Sequence, residues 1–168
     1  QGPGTWLLFV PTADWRERIT AAMAQQQQHC ICVSPGEDFQ QLAADHYQVC
    51  PTQVDSFQEL IRAIAQAAHN LKGVVHLWSL ESDVENLEDS ENVFESLQLS
   101  CESALYLVQA LASELADQMP PLWLVTQKAQ SLGNNHQVQQ TPLWGLGQVV
   151  ALEQPDLQCR LLDLETVS

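Results

Sequence analysis

Thr5-Trp-Leu-Leu-Phe-Val-Pro-Thr-Ala-Asp-Trp15 opens as an apolar run rich in strand formers, stops at Pro11, and leads into the segment Trp15 to Gln27, for which Asp14 is the expected helix N-cap. A strand, a turn and a helix thus stand at the head of the chain. His29 to Ser34 repeats the strand signal and ends at the turn dipeptide Pro35-Gly36, after which Asp38 is expected to cap a short helix through Ala44. Tyr47 to Cys50 is a weak third strand. Ser56 to Asn70 sets Phe57, Leu60, Ile61, Ile64 and Ala68 at helical spacing, and Gly73 is the expected break before a strand from Val74 to Leu77.

Past a polar, acidic stretch from Glu81 to Asp89, one long amphipathic helix is expected over Val93 to Leu115, carrying Phe94, Leu97, Cys101, Leu105, Val108 and Leu111. Pro120-Pro121 ends it, and Leu122 to Thr126 is the next strand. Gln127 to Gln140 reads as a surface loop with Gly133. Pro142 suits the first turn of a helix to Glu153, and Pro155-Asp156 turns the chain into a last strand, Cys159 to Leu164. Strands alternating with helices in this way imply an α/β domain, a mostly parallel sheet with helices on both faces, in Rossmann-like order.

The chain has 168 residues, 45% of them hydrophobic, enough for one substantial core. With 6 Lys and Arg against 21 Asp and Glu, its formal charge of −15 repels phosphate backbones and anionic lipid, so neither nucleic acid nor membrane is an expected partner. No apolar run approaches the ~20 residues of a membrane span and no signal-like stretch opens the chain, which together lead to an expected cytoplasmic location. Five cysteines at irregular spacing suit reduced thiols; Cys30 and Cys32 share one strand face and are expected in the core. Residues 1–4 are set aside as a tag remnant or linker, and residues 5–168 are taken as the domain.

A dinucleotide site needs a glycine-rich turn after the first strand, so that the backbone can approach the pyrophosphate at the helix N-terminus. Here the turn is Pro11-Thr-Ala-Asp-Trp15, with no glycine, a bulky indole, and a carboxylate where phosphate would lie. Reductases of the short-chain type also place a Tyr four residues before a Lys; Tyr47 is followed at that spacing by Pro51 and Tyr106 by Ala110. His29, His46, His69, His76 and His136 fall on separate elements without zinc-like spacing to cysteine, and the acidic stretch lacks the calcium-loop pattern. No catalytic, cofactor-binding or metal-ligating residue is therefore assigned. Asp55 stands where reductases often put an Asp near the adenine, but Asp55-Ser56 equally fits a helix N-cap.

At Gly73-Val-Val-His-Leu-Trp-Ser-Leu80, at Pro121-Leu-Trp-Leu-Val-Thr126 with Gln127-Lys-Ala-Gln130, and above all at Pro142-Leu-Trp-Gly-Leu-Gly-Gln-Val-Val-Ala-Leu-Glu153, the chain resembles ketoreductases of modular polyketide synthases, in their N-terminal, structural half. Ser103-Ala-Leu-Tyr-Leu-Val-Gln-Ala-Leu111 and Leu161-Leu-Asp-Leu164 follow in the expected order. The resemblance implies a degenerate, cofactor-free member of the short-chain dehydrogenase/reductase superfamily. Its partners would be a catalytic half, which holds NADPH and reduces the β-keto group of a carrier-bound intermediate, and neighbouring synthase domains.

The leading expectation is therefore a scaffold that is not itself an enzyme. The alternatives are a subdomain of an inactive ketoreductase serving as an interaction or spacer module, and a reductase with an unorthodox nucleotide site. Trp78 and Ser79 are expected where an active reductase leaves room for nicotinamide, with the indole filling that groove. Leu143, Trp144, Leu146 and Val149 are candidates for core or interface.

Overall fold

The computed structural model describes residues 2–67, 70–81, 90–130 and 140–165. Ala68, His69, His136, Gly133 and the acidic residues 82–89 lie outside them. Within them, β1 (Thr5–Phe9), α1 (Ala13–Gln25), β2 (His29–Pro35), β3 (Gln40–Ala43), β4 (His46–Val49), α2 (Val54–Gln66) and β5 (Leu71–His76) follow in order. A short 3₁₀ turn (Trp78–Glu81), α3 (Ser90–Leu97), a π turn (Gln98–Glu102), α4 (Ser103–Glu114), β6 (Leu122–Gln127), α5 (Thr141–Glu153), a second 3₁₀ turn (Pro155–Leu157) and β7 (Arg160–Leu164) complete it.

The strands form one sheet in the order β3-β4-β2-β1-β5-β6-β7. All neighbours are parallel except the edge pair β3/β4. The order reverses at β1, leaving a switch point between β1 and β5 at their C-terminal ends, where α/β sheets place ligands. Alternation along the strands splits the core in two. Leu7, Phe9, Ile31, Val33, Val74, Leu122 and Leu124 meet α2, α4 and α5, whereas Leu8, Val10, Cys30, Cys32 and Val125 lie on the opposite face with Trp15, Ile19 and Met23 of α1. The α2 side is the deeper: Phe57, Leu60, Ile61 and Ile64 are essentially sealed from solvent, each contributing about 1.5–3 kcal/mol.

The mostly parallel sheet with helices on both faces is as expected, but five local expectations fail. Asp38 does not cap a helix; Gln40–Ala43 pairs antiparallel with β4, and Asp38 instead accepts from the Gln40 and Gln48 side-chain amides, both at 3.2 Å. Thr12, not Asp14, is the N-cap of α1, its Oγ1 accepting from Trp15 N at 3.4 Å. Asp55 lies in the first turn of α2 rather than at its cap, which is Gln53.

Gly73 does not break the chain but sits inside β5, between the indoles of Trp6 and Trp123 from the two neighbouring strands; a Cβ there would lie 2.6 Å from the Cζ3 of each. The expected long helix over Val93 to Leu115 is interrupted by the π turn. Ser100 Oγ donates to the Ser96 carbonyl at 2.8 Å and Ser103 Oγ to that of Leu99 at 2.5 Å, side-chain bonds that compete with the α-helical ladder.

Candidate functional site

The first place to look is the switch point. β1 delivers Val10 and Pro11 to its C-terminal end, and the glycine-free turn starts α1 with the Thr12 side chain, not a ligand, on the Trp15 amide. β5 delivers His76, Leu77 and Trp78 to the same edge. The Trp78 side chain is fully buried, its Nε1 donating to the carbonyls of Val10, just past β1, at 3.0 Å and Val33, in the C-terminal part of β2, at 3.3 Å. Phe9 meets the indole edge-on at 5.2 Å and Phe57 at 6.1 Å. The indole therefore occupies the space above these strand ends, as the sequence led one to expect. Ser79 is buried beside it and donates to the Val125 carbonyl of β6.

Behind Trp78 lies His76, which no local sequence signal singled out because its partner is 27 residues away. Its Nε2 sits 2.8 Å from Ser103 Oγ, and Ser103 Oγ in turn lies 2.5 Å from the Leu99 carbonyl. With the serine proton on Leu99, His76 Nε2–H is the donor and Nδ1 carries no proton; Nδ1 is buried without a partner. Complete burial pushes the imidazole down to about 3, so it is neutral at pH 7. A neutral imidazole packed against Phe9 and Trp78, with no route to solvent, holds the π turn against the sheet rather than exchanging protons.

The remaining flagged residues are scattered. His29 pairs with Asp45 at 3.1 Å, and His46 takes an Arg16 guanidinium proton at Nδ1 at 2.8 Å while Nε2 faces Ser34 Oγ at 2.8 Å. Burial, then Arg16, pulls His46 below its ordinary value. Cys30 and Cys32 are buried on the α1 face as expected, each Sγ 3.8 Å from Thr20 Oγ1. A hydrogen bond from the Cys32 thiol pulls Cys30 down to about 6 and pushes Cys32 up. Tyr47 is buried in β4, and Tyr106 donates to Glu102 Oε1 at 2.7 Å. Among the described residues no three His, Cys, Asp or Glu side chains are grouped to hold a metal ion, and no helix is long and apolar enough to cross a membrane.

Sequence reading also missed Asp163. Its Oδ1 accepts from Thr126 Oγ1 at 2.8 Å and Ala129 N at 2.9 Å, and its Oδ2 from Gln130 N at 2.9 Å. One carboxylate on β7 thus ties down the chain leaving β6.

The second candidate is the outer face of α3, α4 and α5. Of the four α5 residues in question, Leu143 is core, Trp144 and Leu146 are half-buried, and Val149 is 48% exposed. Leu146 lines a groove of about 380 Å³ with Phe94, Leu97, Cys101, Leu105 and Pro142. Phe94 is 61% exposed and Leu152, one turn beyond Val149's level, 83%. Phe94, Cys101 and Leu105 at i, i+7 and i+11 share one helical stripe, and Pro142, Leu146 and Val149 at i, i+4 and i+7 share another beside it. The groove that Phe94, Cys101, Leu105, Pro142 and Leu146 line between adjacent helices leaves apolar surface outward, of the kind that marks an interaction surface.

Comparison with known proteins gives this geometry a family. The sequence model of the family described as Beta-ketoacyl synthase-like, N-terminal, matches residues 4–168. Polyketide synthase GfsA of Streptomyces halstedii is 34% identical over 170 residues, covering 96% of this chain and 2% of that synthase. The chain spans only about 2–3% of the length of such curated relatives. Among solved structures, the adenylation, ketoreductase and pseudo-Asub multidomain structure of a keto acid-selecting NRPS module superposes with a TM-score of 0.82 at 23% identity, covering all of this chain and 14% of that one. A C2-type ketoreductase from a modular polyketide synthase gives 0.66 at 24%, covering 99% of this chain and 34% of that one. The chain therefore belongs to the Beta-ketoacyl synthase-like, N-terminal family found in polyketide synthases, and its Rossmann-like fold is one that it shares with solved ketoreductases.

Proposed function

We propose that this chain is a non-catalytic scaffold, the structural subdomain that supports the NADPH-binding catalytic half of a ketoreductase in a cytoplasmic, multifunctional polyketide synthase. In that setting the catalytic half reduces the β-keto group of carrier-bound intermediates, and neighbouring synthase domains flank the pair. The observation that carries this reading is the apolar outer face of α3, α4 and α5, with Phe94, Leu105, Val149 and Leu152 all exposed. A monomer gains nothing from leaving such residues in water, whereas a partner helix pair would bury them.

The switch point supports the same reading from the other side. On this reading the indole of Trp78, buried against Phe9 and Phe57, takes the space that a nicotinamide would need, and the turn at residues 11–15 offers no glycine to a phosphate. A reductase with an unorthodox nucleotide site makes the opposite prediction, so the two are separable by thermal melting. NADPH added at millimolar concentration is expected to leave the Tm of this chain unchanged and to raise that of the complex with the catalytic half. A saturable rise in the Tm of this chain alone would contradict the scaffold reading.

A further inference from the structure

Docking of the catalytic half on the α3–α5 face, the reading on which this inference rests, does not specify the chemistry of the surface that meets it. Between residues 73 and 159 the sequence contains a single Lys or Arg, Lys128, and every charged side chain of α3, the π turn, α4 and α5 is acidic. Glu114 is paired, its Oε1 2.9 Å from Arg62 of α2. Glu95 follows the exposed Phe94, Glu102 lines the apolar groove itself, and Glu153 follows the exposed Leu152. The face is thus an apolar centre with an acidic margin and no cation of its own.

We propose that the surface covering this face is an apolar helical patch fringed by Lys and Arg. Complementary charge at the margin of an interface sets encounter rate and partner choice, and it is screened by salt. A second copy of this chain is a poor occupant, because a two-fold pairing through this face would bring the same carboxylates together. Nucleic acid and anionic lipid are repelled for the same reason.

The test is isothermal titration of the catalytic half from the same synthase into this chain, at 50 and 500 mM NaCl. If that half does not stay soluble alone, the dissociation rate of the copurified complex is read at both salts instead. Binding by the unaltered chain is expected to weaken about 10-fold at high salt. Glu95→Gln/Glu102→Gln/Glu153→Gln should already be weakened at low salt and lose most of the salt dependence. Phe94→Ser should weaken binding alike at both salts. Affinity indifferent to salt and to the triple substitution would overturn the basic fringe while leaving docking intact. Absence of association at either salt, or indifference to Phe94→Ser, would instead overturn the docking reading itself. Self-association of this chain that strengthens with salt and competes with the catalytic half would overturn the proposal in favour of a second copy.

Discussion

Replacing Trp78 by alanine is expected to cost about 3–5 kcal/mol, about a fifth or more of the stability of an ordinary domain. The indole is fully buried against Phe9, Phe57 and His76, and its N–H donates to the Val10 carbonyl just past β1 at 3.0 Å and, more weakly at 3.3 Å, to that of Val33, which also accepts the Val10 N–H at 2.9 Å. Truncation leaves a cavity at the switch point and takes the indole donor from the Val10 carbonyl, while that of Val33 keeps the Val10 N–H. Trp78→Phe keeps most of the volume and loses the donor, so a smaller loss of about 1–2 kcal/mol is expected. Urea denaturation followed by far-UV circular dichroism measures both. A loss below about 1 kcal/mol for the alanine variant would mean that the indole does not fill the crevice in solution. Trp78→Ala is also expected not to confer NADPH binding, since the space alone does not supply the missing glycine turn.

The second large effect is a dependence of stability on pH that runs through His76. Its folded-state value of about 3 lies well below the ~6.5 of an exposed histidine, so between those limits the unfolded chain binds a proton that the folded chain does not. The stability contributed by the neutral imidazole is complete above about pH 6.5 and falls as pH drops toward 3. At pH 4.5 the loss amounts to about 2–3 kcal/mol. Protonation of the many carboxylates relieves repulsion in a chain of charge −15 and runs the other way, so the informative quantity is a difference. His76→Phe has no titrating group at this position. The stability gap between the native chain and His76→Phe should shift in favour of the variant by that amount between pH 7.5 and 4.5. A gap that does not move with pH would show that His76 is not sealed in the core.

Much of this was legible in the sequence, because burial imposes a pattern. The run Thr5 to Val10, the helical spacing of Phe57, Leu60, Ile61 and Ile64, and the run at Leu122 to Thr126 each appear as the element they form, since each faces a core that tolerates only apolar groups. The edge strand Gln40–Ala43 was not legible. It is exposed throughout, and what makes it a strand is hydrogen bonding to β4, which no composition announces. The π turn was hidden for a related reason: Phe94, Leu97, Cys101, Leu105, Val108 and Leu111 keep helical spacing straight through it, while the serine bonds that open it carry no periodic signal.

Gly73 shows how a local reading goes wrong when the cause is distant. Glycine ordinarily punctuates a chain, but here it is required because Trp6 and Trp123, 67 and 50 residues away by number, converge over the middle of β5. At the switch point the balance is similar. The place of Trp78 follows from its position just past a strand, whereas its hydrogen-bond partners and the His76–Ser103 contact depend on how remote elements pack. On α5, helical spacing left Leu143, Trp144, Leu146 and Val149 undivided, and only the phase of the helix against the sheet separates the buried Leu143 from the exposed Val149.

The scaffold reading is tested most directly by producing the catalytic half of the parent ketoreductase with and without this chain, and comparing soluble yield and NADPH-dependent reduction of a β-ketoacyl thioester. Bare apolar helices on the partner would be exposed without this subdomain, so the reading predicts low soluble yield and little activity alone, both recovered on co-expression. Equal yield and equal activity in the absence of this chain would contradict it.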